Sequence, residues 1–222
     1  MILEAKNIQK RYRQGKNDIS VLNNLNLTLK PREKLAILGK SGSGKSTLLS
    51  LISGLDYPDS GYLKILGKNI FDMNENQMTK FRGRHLGIIF QHFHLIPHLT
   101  ALENISLPLE ILGEKNAKKK GMELLNKVGL NNRRSHLPIQ LSGGEMQRIA
   151  VARALSTSPD VILADEPSGS LDDNNAREII DLIFSLVDQE EKALILVTHD
   201  LELSQRCQRR LNLKDGFLSE VN

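Results

Sequence analysis

A glycine-rich segment combines residue types that together could bind phosphate. Gly39 to Ser46 reads Gly-Lys-Ser-Gly-Ser-Gly-Lys-Ser, which fits the pattern G-x-x-x-x-G-K-[ST]. Glycines let backbone amides approach phosphate oxygens, Lys45 can reach the β and γ phosphates, and the Ser46 hydroxyl can bind Mg²⁺. The segment lies between an apolar run at 35–38 and a helical pattern at 45–53, which predicts a strand, a phosphate loop and a helix. A merely flexible turn would leave Lys45 and Ser46 unexplained. The predicted nucleotide-binding residues here are Gly39, Lys40, Ser41, Gly42, Ser43, Gly44, Lys45, Ser46 and Thr47.

Two adjacent carboxylates follow a second apolar run, 161–164. Successive strand residues point to opposite sides, so Asp165 and Glu166 are expected to do different jobs. Asp165 is predicted to hold Mg²⁺ through a water or through Ser46. Glu166 is predicted to polarise the water that attacks the γ phosphate, as general base or as orienting group. The alternative for such a pair is two solvated acids at a strand end.

A second Ser-Gly turn opens a later helical pattern. Leu141 to Glu145 reads Leu-Ser-Gly-Gly-Glu and precedes a helix predicted over 146–155. Ser142, Gly143 and Gly144 offer backbone amides to an anion, as the phosphate loop does. One phosphate chain cannot easily occupy both sites, so we predict a head-to-tail pair in which the two loops, from different copies, bind one nucleotide. An ordinary helix cap would need no glycine pair.

Charge and composition favour a protein that does not contact nucleic acid directly. The net charge is +4 and the pI about 9.1, but aromatic residues are only 4% of the chain, too few for a base-stacking surface. The densest basic run, 118–120, is predicted to be a solvated helix face. A basic protein would also suit an anionic inner leaflet.

Apolar stretches such as 86–90 and 193–197 are far shorter than the roughly 20 residues that a membrane crossing needs. The N-terminal residues lack the pattern of a secretory signal, so we expect a cytosolic compartment. The single cysteine, Cys207, is predicted to be a buried structural thiol rather than a reactive one.

Alternating strand and helix patterns predict an α/β fold, a P-loop NTPase core with a mainly parallel sheet. Leu25, Leu27 and Leu29 alternate with polar residues, which indicates an N-terminal antiparallel β part. Apolar residues at helical spacing over 91–141 predict an inserted α-helical subdomain. A small β element is expected around Asp215-Gly216. We therefore predict one domain, 1–222, with a nucleotide-binding core of 1–90 and 142–222.

The ordered set of motifs resembles the nucleotide-binding subunit of ABC transporters over nearly the whole chain, and Leu141–Glu145 matches the signature motif of that family. The resemblance implies an ABC ATPase cassette that binds ATP and Mg²⁺ and hydrolyses ATP to ADP and phosphate. It also implies two partners: a second copy in an ATP-dependent head-to-tail homodimer, and a separate integral membrane permease. The chain would then lie on the cytoplasmic side of the inner membrane, held there by the permease.

Four more residues match family positions. Gln91 resembles the glutamine that contacts Mg²⁺ and the attacking water, and His199 resembles the switch histidine that contacts the γ phosphate. Tyr12 resembles the aromatic residue that stacks on adenine, and Asp172 resembles the aspartate of the loop that crosses the dimer interface. Simple packing for Tyr12, and a position beside a helix cap for His199, are the open alternatives.

Three segments narrow the resemblance to the branch that includes the lipoprotein-releasing LolD subunits, the MacB ATPase domain and YbbA. They are Gly54-Leu55-Asp56, the run 99–104, and Ala164-Asp165-Glu166-Pro167. Ser168-Gly169-Ser170 departs from the Thr-Gly-Asn that is usual there. The branch implies lipoprotein release, export or transmission of force across a membrane.

Two other classes of function stay open. A soluble ABC ATPase acting on DNA or ribosomes usually has a long coiled-coil insertion or two tandem cassettes, and this sequence has neither. A P-loop phosphotransferase would not need the signature motif or the adjacent Glu166.

Overall fold

The computed structural model describes residues 1–15 and 17–221. Its internal contacts divide the chain into two compact units. The first consists of 1–82 and 193–221, and the second is 83–192. The predicted boundaries of a helical subdomain at 91–141 stay a prediction.

The first unit contains an antiparallel sheet with the strand order β2-β1-β4-β5. The strands are β1 (Leu3–Gln14), β2 (Asn17–Leu29), β4 (Ser60–Ile65) and β5 (Lys68–Asn69). Leu25, Leu27 and Leu29 are all buried, which confirms the predicted alternation in β2. Strand β1 was not predicted, because its sequence is mostly polar; it forms because β2 and β4 pair with its two edges.

Parallel strands form the other sheet of this unit. β3 (Lys34–Leu38) lies between β8 (Ala193–Thr198) and β9 (Arg209–Lys214) and is parallel to both. β10 (Phe217–Glu220) pairs antiparallel with β9 through a turn at Asp215-Gly216, which confirms the predicted β element. The unit also holds α1 (Lys45–Ile52) and the short α7 (Leu201–Ser204). The continuous apolar run of β3 is typical of a central strand in a parallel sheet, where both faces are buried, and Leu35, Ala36 and Ile37 are indeed fully buried.

In the second unit, β6 (Leu86–Ile89) and β7 (Val161–Asp165) pair in parallel, with Leu86 opposite Val161. The helices are α3 (Ala101–Ile111), α4 (Ala117–Lys127), α5 (Gly143–Leu155) and α6 (Asp173–Gln189). α3 packs against α4 and α5, with Ile105, Leu109 and Leu125 buried among them. The helix expected over 146–155 begins earlier, at Gly143, because Ser142 caps it.

The antiparallel sheet, the parallel-rich strands and the helices confirm the predicted fold class. One further helix, α2 (Glu75–His85), was not predicted, because only Met78 and Phe81 along it are buried apolar residues. Cys207 is buried, and burial raises the pKa of its thiol to about 12, which agrees with the predicted structural role. Residues 118–120 are exposed, as predicted for a solvated helix face. None of the helices in the described ranges has both the length and the apolar composition that a bilayer crossing requires.

Candidate functional site

The predicted phosphate loop joins β3 to α1, and its glycines are required by space and by conformation. A Cβ atom on Gly39 would lie 2.5 Å from Ser43 Oγ and 2.7 Å from the Leu213 carbonyl oxygen. Gly44 has φ +100°, and a Cβ there would lie 2.9 Å from a methyl group of Val21. Only glycine fits the close contacts at these two positions and the positive φ at Gly44, so the loop can pack tightly against the neighbouring backbone.

Lys45 lies inside this loop. The residue is only 8% exposed, and its Nζ donates to the Gly39 carbonyl at 2.7 Å and to the Lys40 carbonyl at 3.1 Å. Because a buried ammonium group needs hydrogen-bond acceptors, these two carbonyls fix the Lys45 side chain within the loop. The arrangement places a fixed positive charge beside the backbone amides of the loop.

The start of α1 adds to this positive potential. Its N-cap residue is Gly44, which has no side chain to cap the first-turn amides, and the first turn contains no acidic residue. The lack of a side-chain cap at Gly44 and the helix dipole together favour an anion at this end.

A cavity of about 710 Å³ adjoins the loop. Its walls come from the loop, from β2 and from the β9–β10 hairpin: residues 40–43, 19–21 and 212–216. The volume is in the range of small-molecule sites. The buried hydroxyl of Ser43 makes no hydrogen bond within the part of the chain that the structure describes, which is unusual for a buried polar atom outside a functional site.

The two carboxylates lie where β7 ends. Asp165 is its last residue, and Glu166 has φ +43°, a left-handed conformation that is uncommon for a residue with a side chain. Glu166 is therefore outside the strand, and the simple alternation expected for the pair does not apply to it. Its carbonyl accepts from the Gly169 amide at 3.0 Å, which closes a tight turn. Backbone strain of this kind is concentrated at functional sites.

The turn after Glu166 meets the segment that begins at Gln91. Ser170 Oγ donates to the Gln91 carbonyl at 3.0 Å, and a Cβ on Gly169 would lie 3.0 Å from Gln91 Nε2. The unusual Ser168-Gly169-Ser170 thus uses its last hydroxyl to hold the Gln91 backbone. Within the second unit, the structure brings Gln91 and the segment after Glu166 together.

Two residues that the sequence analysis missed hold the same region. Gln147 is fully buried, and its Nε2 donates to the carbonyls of Phe90, at 3.2 Å, and Pro167, at 2.6 Å. Arg153 donates to the carbonyls of Phe93 and His94, both of which have positive φ. Gln147 could have been noticed in the sequence, because it is a polar side chain at a position where the helical pattern of α5 places buried residues. The partners of Arg153 are too far away in sequence to have been inferred.

The Leu141–Glu145 segment forms the N-terminus of α5, and Ser142 caps it. Its Oγ accepts from the Glu145 amide at 3.2 Å, while Glu145 Oε2 accepts from the Ser142 amide at 2.8 Å. Arg133 Nε donates to the other oxygen of Glu145 at 2.7 Å, and this bond is the main reason that the pKa of Glu145 is lowered. The ordinary cap is therefore present in the structure.

The glycine pair that follows has a packing role that the sequence did not reveal. A Cβ on Gly144 would lie 2.8 Å from Asn175 Oδ1, and one on Gly143 would lie 3.3 Å from a methyl group of Leu171. Asp172 caps α6 and accepts from the Asn175 amide at 3.2 Å, and hydrogen bonds from Asn175 lower its pKa. The turn and the start of α6 are therefore fitted to each other.

Tyr12 lies in β1 and is 40% exposed, with its hydroxyl donating to Asp56 Oδ2 at 2.6 Å. His199 follows β8 and is exposed, next to Asp200, whose carboxylate accepts from the Leu203 amide at 3.1 Å and caps α7. The alternative reading of His199, a neighbour of a helix cap, is thus correct as a description of its place. Its contact with a phosphate stays a prediction.

The predicted Mg²⁺ donors are the Ser46 hydroxyl, the Gln91 amide oxygen and the Asp165 carboxylate. Oxygen donors of these kinds are what Mg²⁺ prefers, with phosphate oxygens and waters as further ligands. Among residues 1–15 and 17–221 no group of three His, Cys, Asp or Glu side chains forms a metal site by itself. The three side chains are thus of the right chemical type for Mg²⁺, and their use as ligands stays a prediction.

Comparison with known proteins gives a consistent family. The family model described as ABC transporter matches residues 22–169. The uncharacterized ABC transporter ATP-binding protein YbbA of Escherichia coli K12 is 46% identical over 221 residues, 99% of this chain and 97% of that protein. The lipoprotein-releasing system ATP-binding protein LolD of Hahella chejuensis is 44% identical over 222 residues, 99% of this chain and 96% of that protein.

Solved structures agree with the sequence relatives. A dimeric structure of a bacterial ABC transporter cassette superposes with a TM-score of 0.90 at 39% identity, covering 98% of this chain and 97% of the other. A dimeric structure of a post-hydrolysis state of an ATP-binding cassette, bound to ADP and Pi, gives the same values. The chain therefore belongs to the ABC transporter family, as an ATP-binding subunit of the LolD and YbbA type, and this is a family that hydrolyses ATP.

Proposed function

We propose that two copies of this chain bind each ATP jointly, with Mg²⁺, and that hydrolysis powers a separate integral membrane permease. The observation that carries the proposal is the pair of Ser-Gly helix starts in one chain. The start of α1 holds a buried lysine and uncapped amides, whereas the start of α5 presents Ser142 and two glycines. The similar solved cassettes, which are dimeric, support it.

In the proposed site, one copy supplies the phosphate loop. Lys45 and the loop amides bind the phosphates, and Tyr12 stacks on the adenine. Ser46, Gln91 and Asp165 hold Mg²⁺, which neutralises charge on the phosphates when bound. Glu166 polarises the attacking water, and His199 contacts the γ phosphate.

The other copy supplies the signature turn. Ser142 Oγ accepts a hydrogen bond from Glu145, but its own hydrogen is still available to donate to a phosphate oxygen. Gly143 and Gly144 add backbone amides at the positive end of α5. Asp172 lies in the dimer interface. ATP thus joins the two copies, and hydrolysis removes the joint ligand.

The partner is a permease, and the chain lies on the cytoplasmic side of the inner membrane. The proposed role is lipoprotein release, export or transmission of force, in keeping with the similarity to LolD, an ATP-binding protein of a lipoprotein-releasing system. The segment that begins at Gln91, held by Ser170 and Arg153, connects the site to α3 and α4. It is the proposed route by which nucleotide state reaches the permease.

The test is purification of the chain from detergent-solubilised membranes, with Glu166→Gln as a matched control that keeps nucleotide but not turnover. We expect a multi-span membrane protein to co-purify with both and to stimulate phosphate release only by the wild type. Association with DNA or ribosomes that weakens steeply with salt would favour the soluble ATPase instead. A phosphorylated acceptor in place of free phosphate would favour a phosphotransferase.

A further inference from the structure

A network of charged and polar groups lies behind Tyr12. Asp56 accepts at both oxygens: Oδ2 from the Tyr12 hydroxyl at 2.6 Å, and Oδ1 from Lys10 Nζ at 2.8 Å and the Tyr57 amide at 2.7 Å. Lys10 is only 8% exposed, and its Nζ also donates to the Tyr57 carbonyl at 2.6 Å. The same ammonium lies 4.9 Å from the centre of the Tyr12 ring. The network therefore fixes the hydroxyl and covers one face of the ring.

The chain segment that carries Asp56 comes directly from the helix of the phosphate loop. α1 is followed by Gly54, which has φ +65°, and the amides of Leu55 and Asp56 both donate to the Ser50 carbonyl of α1. A Cβ on Gly54 would lie 2.5 Å from Met78 Sδ, so glycine is needed there. The chain therefore turns at Gly54-Leu55-Asp56, so that the Asp56 side chain reaches Tyr12 of β1. This is the first structural role of a segment that in the sequence indicates only a branch of the family.

The same loop is also fastened along β1. The Asp59 amide donates to the Gln9 carbonyl at 2.8 Å, and the Arg11 amide donates to Asp59 Oδ2 at 2.6 Å. Tyr12 is therefore linked to α1 by a short, hydrogen-bonded path within the first unit. A shift of the Tyr12 ring would have to break the bond from its hydroxyl to Asp56, which the backbone bonds of Asp59 hold against β1.

The protonation states suit this arrangement. Burial raises the pKa of Tyr12, and the hydrogen bond to Asp56 raises it further, against the lowering effect of Thr47 and Lys10, so the hydroxyl stays a donor at neutral pH. Burial opposes the ionisation of Asp56, but hydrogen bonds from Lys10, Tyr12 and the Tyr57 amide together lower its pKa, so it stays a carboxylate.

We propose that Asp56 and Lys10 are positioning residues that hold the Tyr12 ring as the platform for the purine base of ATP. The inference rests on the proposed function, which assigns the base to Tyr12. Lys10 occupies one face of the ring, so a base stacks on the other. A ring fixed before binding loses less conformational freedom when the base arrives, which raises affinity without changing any contact to phosphate.

Tyr62 provides a matched control. It lies in β4 of the same sheet, its hydroxyl donates to Glu4 Oε1 at 3.3 Å, and Lys64 Nζ lies 5.0 Å from its ring centre. Its chemistry copies that of Tyr12, but it is assigned no ligand. Removing its hydroxyl therefore reports the effect of losing such a bond on the fold alone.

The experiment measures the Kd for ADP by calorimetry, and the Ki for inorganic triphosphate as a competitor of ADP, in otherwise wild-type protein. Triphosphate has no base, so it reports the phosphate loop alone. The variants are Tyr12→Phe, Asp56→Asn, the two combined, Tyr12→Ala and Tyr62→Phe. Tyr12→Phe leaves the pair of Lys10 and Asp56 intact, which keeps the test valid if Asp56→Asn proves unstable.

We expect Tyr12→Phe and Asp56→Asn each to raise the Kd for ADP about 3- to 10-fold, less than Tyr12→Ala does, and their effects to be far from additive because they remove one bond. The Ki for triphosphate and all values for Tyr62→Phe should stay at the wild-type level. An effect of Tyr12→Ala without one of Tyr12→Phe or Asp56→Asn would overturn the positioning role and leave the platform in place. If Tyr12→Ala had no effect on the Kd for ADP, the role of Tyr12 as a platform would be overturned as well. If ADP and triphosphate binding were weakened equally, the network would have a purely structural role. In both cases the proposed function, ATP hydrolysis by a pair of chains, would be unaffected.

Discussion

Helices α1 and α5 both begin beside glycine and serine residues, but their N-termini differ in how the backbone amides are satisfied. α1 begins after Gly44, which has no side chain, and the buried Lys45 adds a positive charge. α5 begins after Ser142, whose hydroxyl is used by the Glu145 amide, and Glu145 brings a carboxylate into the same turn. The first end is open to an anion, and the second is already largely satisfied.

The difference shows why the two sites are not interchangeable. An end with uncapped amides and an ammonium attracts phosphate by itself. An end that carries its own carboxylate has little attraction for a free anion, so it gains a phosphate contact only when another surface presents the nucleotide. A single copy is therefore expected to bind nucleotide through α1 alone, and α5 is expected to act only in a pair.

The largest effect should come from removing the charge at the open end. Lys45→Ala should weaken ADP binding by about 100-fold or more, because it deletes hydrogen bonds to charged phosphate oxygens. Lys120→Ala is the control. Lys120 is exposed and its ammonium group pairs with Glu114 at 2.7 Å, so its loss should leave the affinity for ADP unchanged. Calorimetry measures both. Unchanged ADP affinity in the Lys45 variant would contradict the division of roles.

An effect on turnover, and none on the ADP affinity of a single chain, is expected from charge at the capped end. Ser142→Asp keeps a good helix cap but places a carboxylate toward the nucleotide of the other copy, so ATP turnover should fall by about 100-fold while the ADP affinity of a single chain stays the same. α3 offers the control, because Thr100 and Glu103 form the same capping box. Thr100→Asp should leave turnover unchanged. Loss of ADP affinity in Ser142→Asp would show that the capped end already binds nucleotide in one chain.

The smallest effect concerns the cap itself. Glu145→Ala should lower the free energy of unfolding by about 1 kcal/mol, and Glu103→Ala should change it in the same direction, because each removes one side of a capping box. Urea denaturation at pH 7 measures this change. A loss of several kcal/mol at Glu145 alone would show that the turn does more than cap α5.

The pH dependence sharpens the same point. The hydrogen bond from Arg133 lowers the pKa of Glu145 below its ordinary value in the folded chain, so the stability that this pair contributes is present above the ordinary carboxyl pKa and is lost as the pH falls through the lowered pKa of the folded chain. Glu145→Gln keeps a capping partner without the charge, so its unfolding free energy should fall less steeply in acid than that of the wild type. If the unfolding free energies of the two proteins fell equally steeply with pH, the pair of Arg133 and Glu145 would contribute nothing to acid stability.

The sequence predicted those parts of the site whose residues are neighbours along the chain. Gly39–Ser46 and Leu141–Glu145 could be read because spacing alone specifies a loop and a helix start. The supports of the site could not be read in this way. Gln147 and Arg153 bind carbonyls more than fifty positions away, and Asp56 binds Tyr12 across forty-four. Pairings of this kind depend on the tertiary fold, which residue types alone do not specify.

The fold followed the same rule. The buried strands β3, β7 and β8 were predicted because their apolar runs are continuous. β1 was missed because its polar residues give no clear period, and its pairing with two partners is a long-range property. Helix α5 begins at Gly143, three residues before the predicted start, because the Ser142 cap stabilises a helical turn that two glycines alone would disfavour.

Joint binding of the nucleotide is tested most directly by light scattering of the Glu166→Gln variant with ATP and Mg²⁺. Joint binding predicts a particle of twice the 24.9 kDa mass of one chain, which returns to single chains with ADP and fails to form when Ser142→Asp is added. If the Glu166→Gln variant bound ATP but kept the mass of one chain at every protein concentration, joint binding of the nucleotide by two chains would be contradicted.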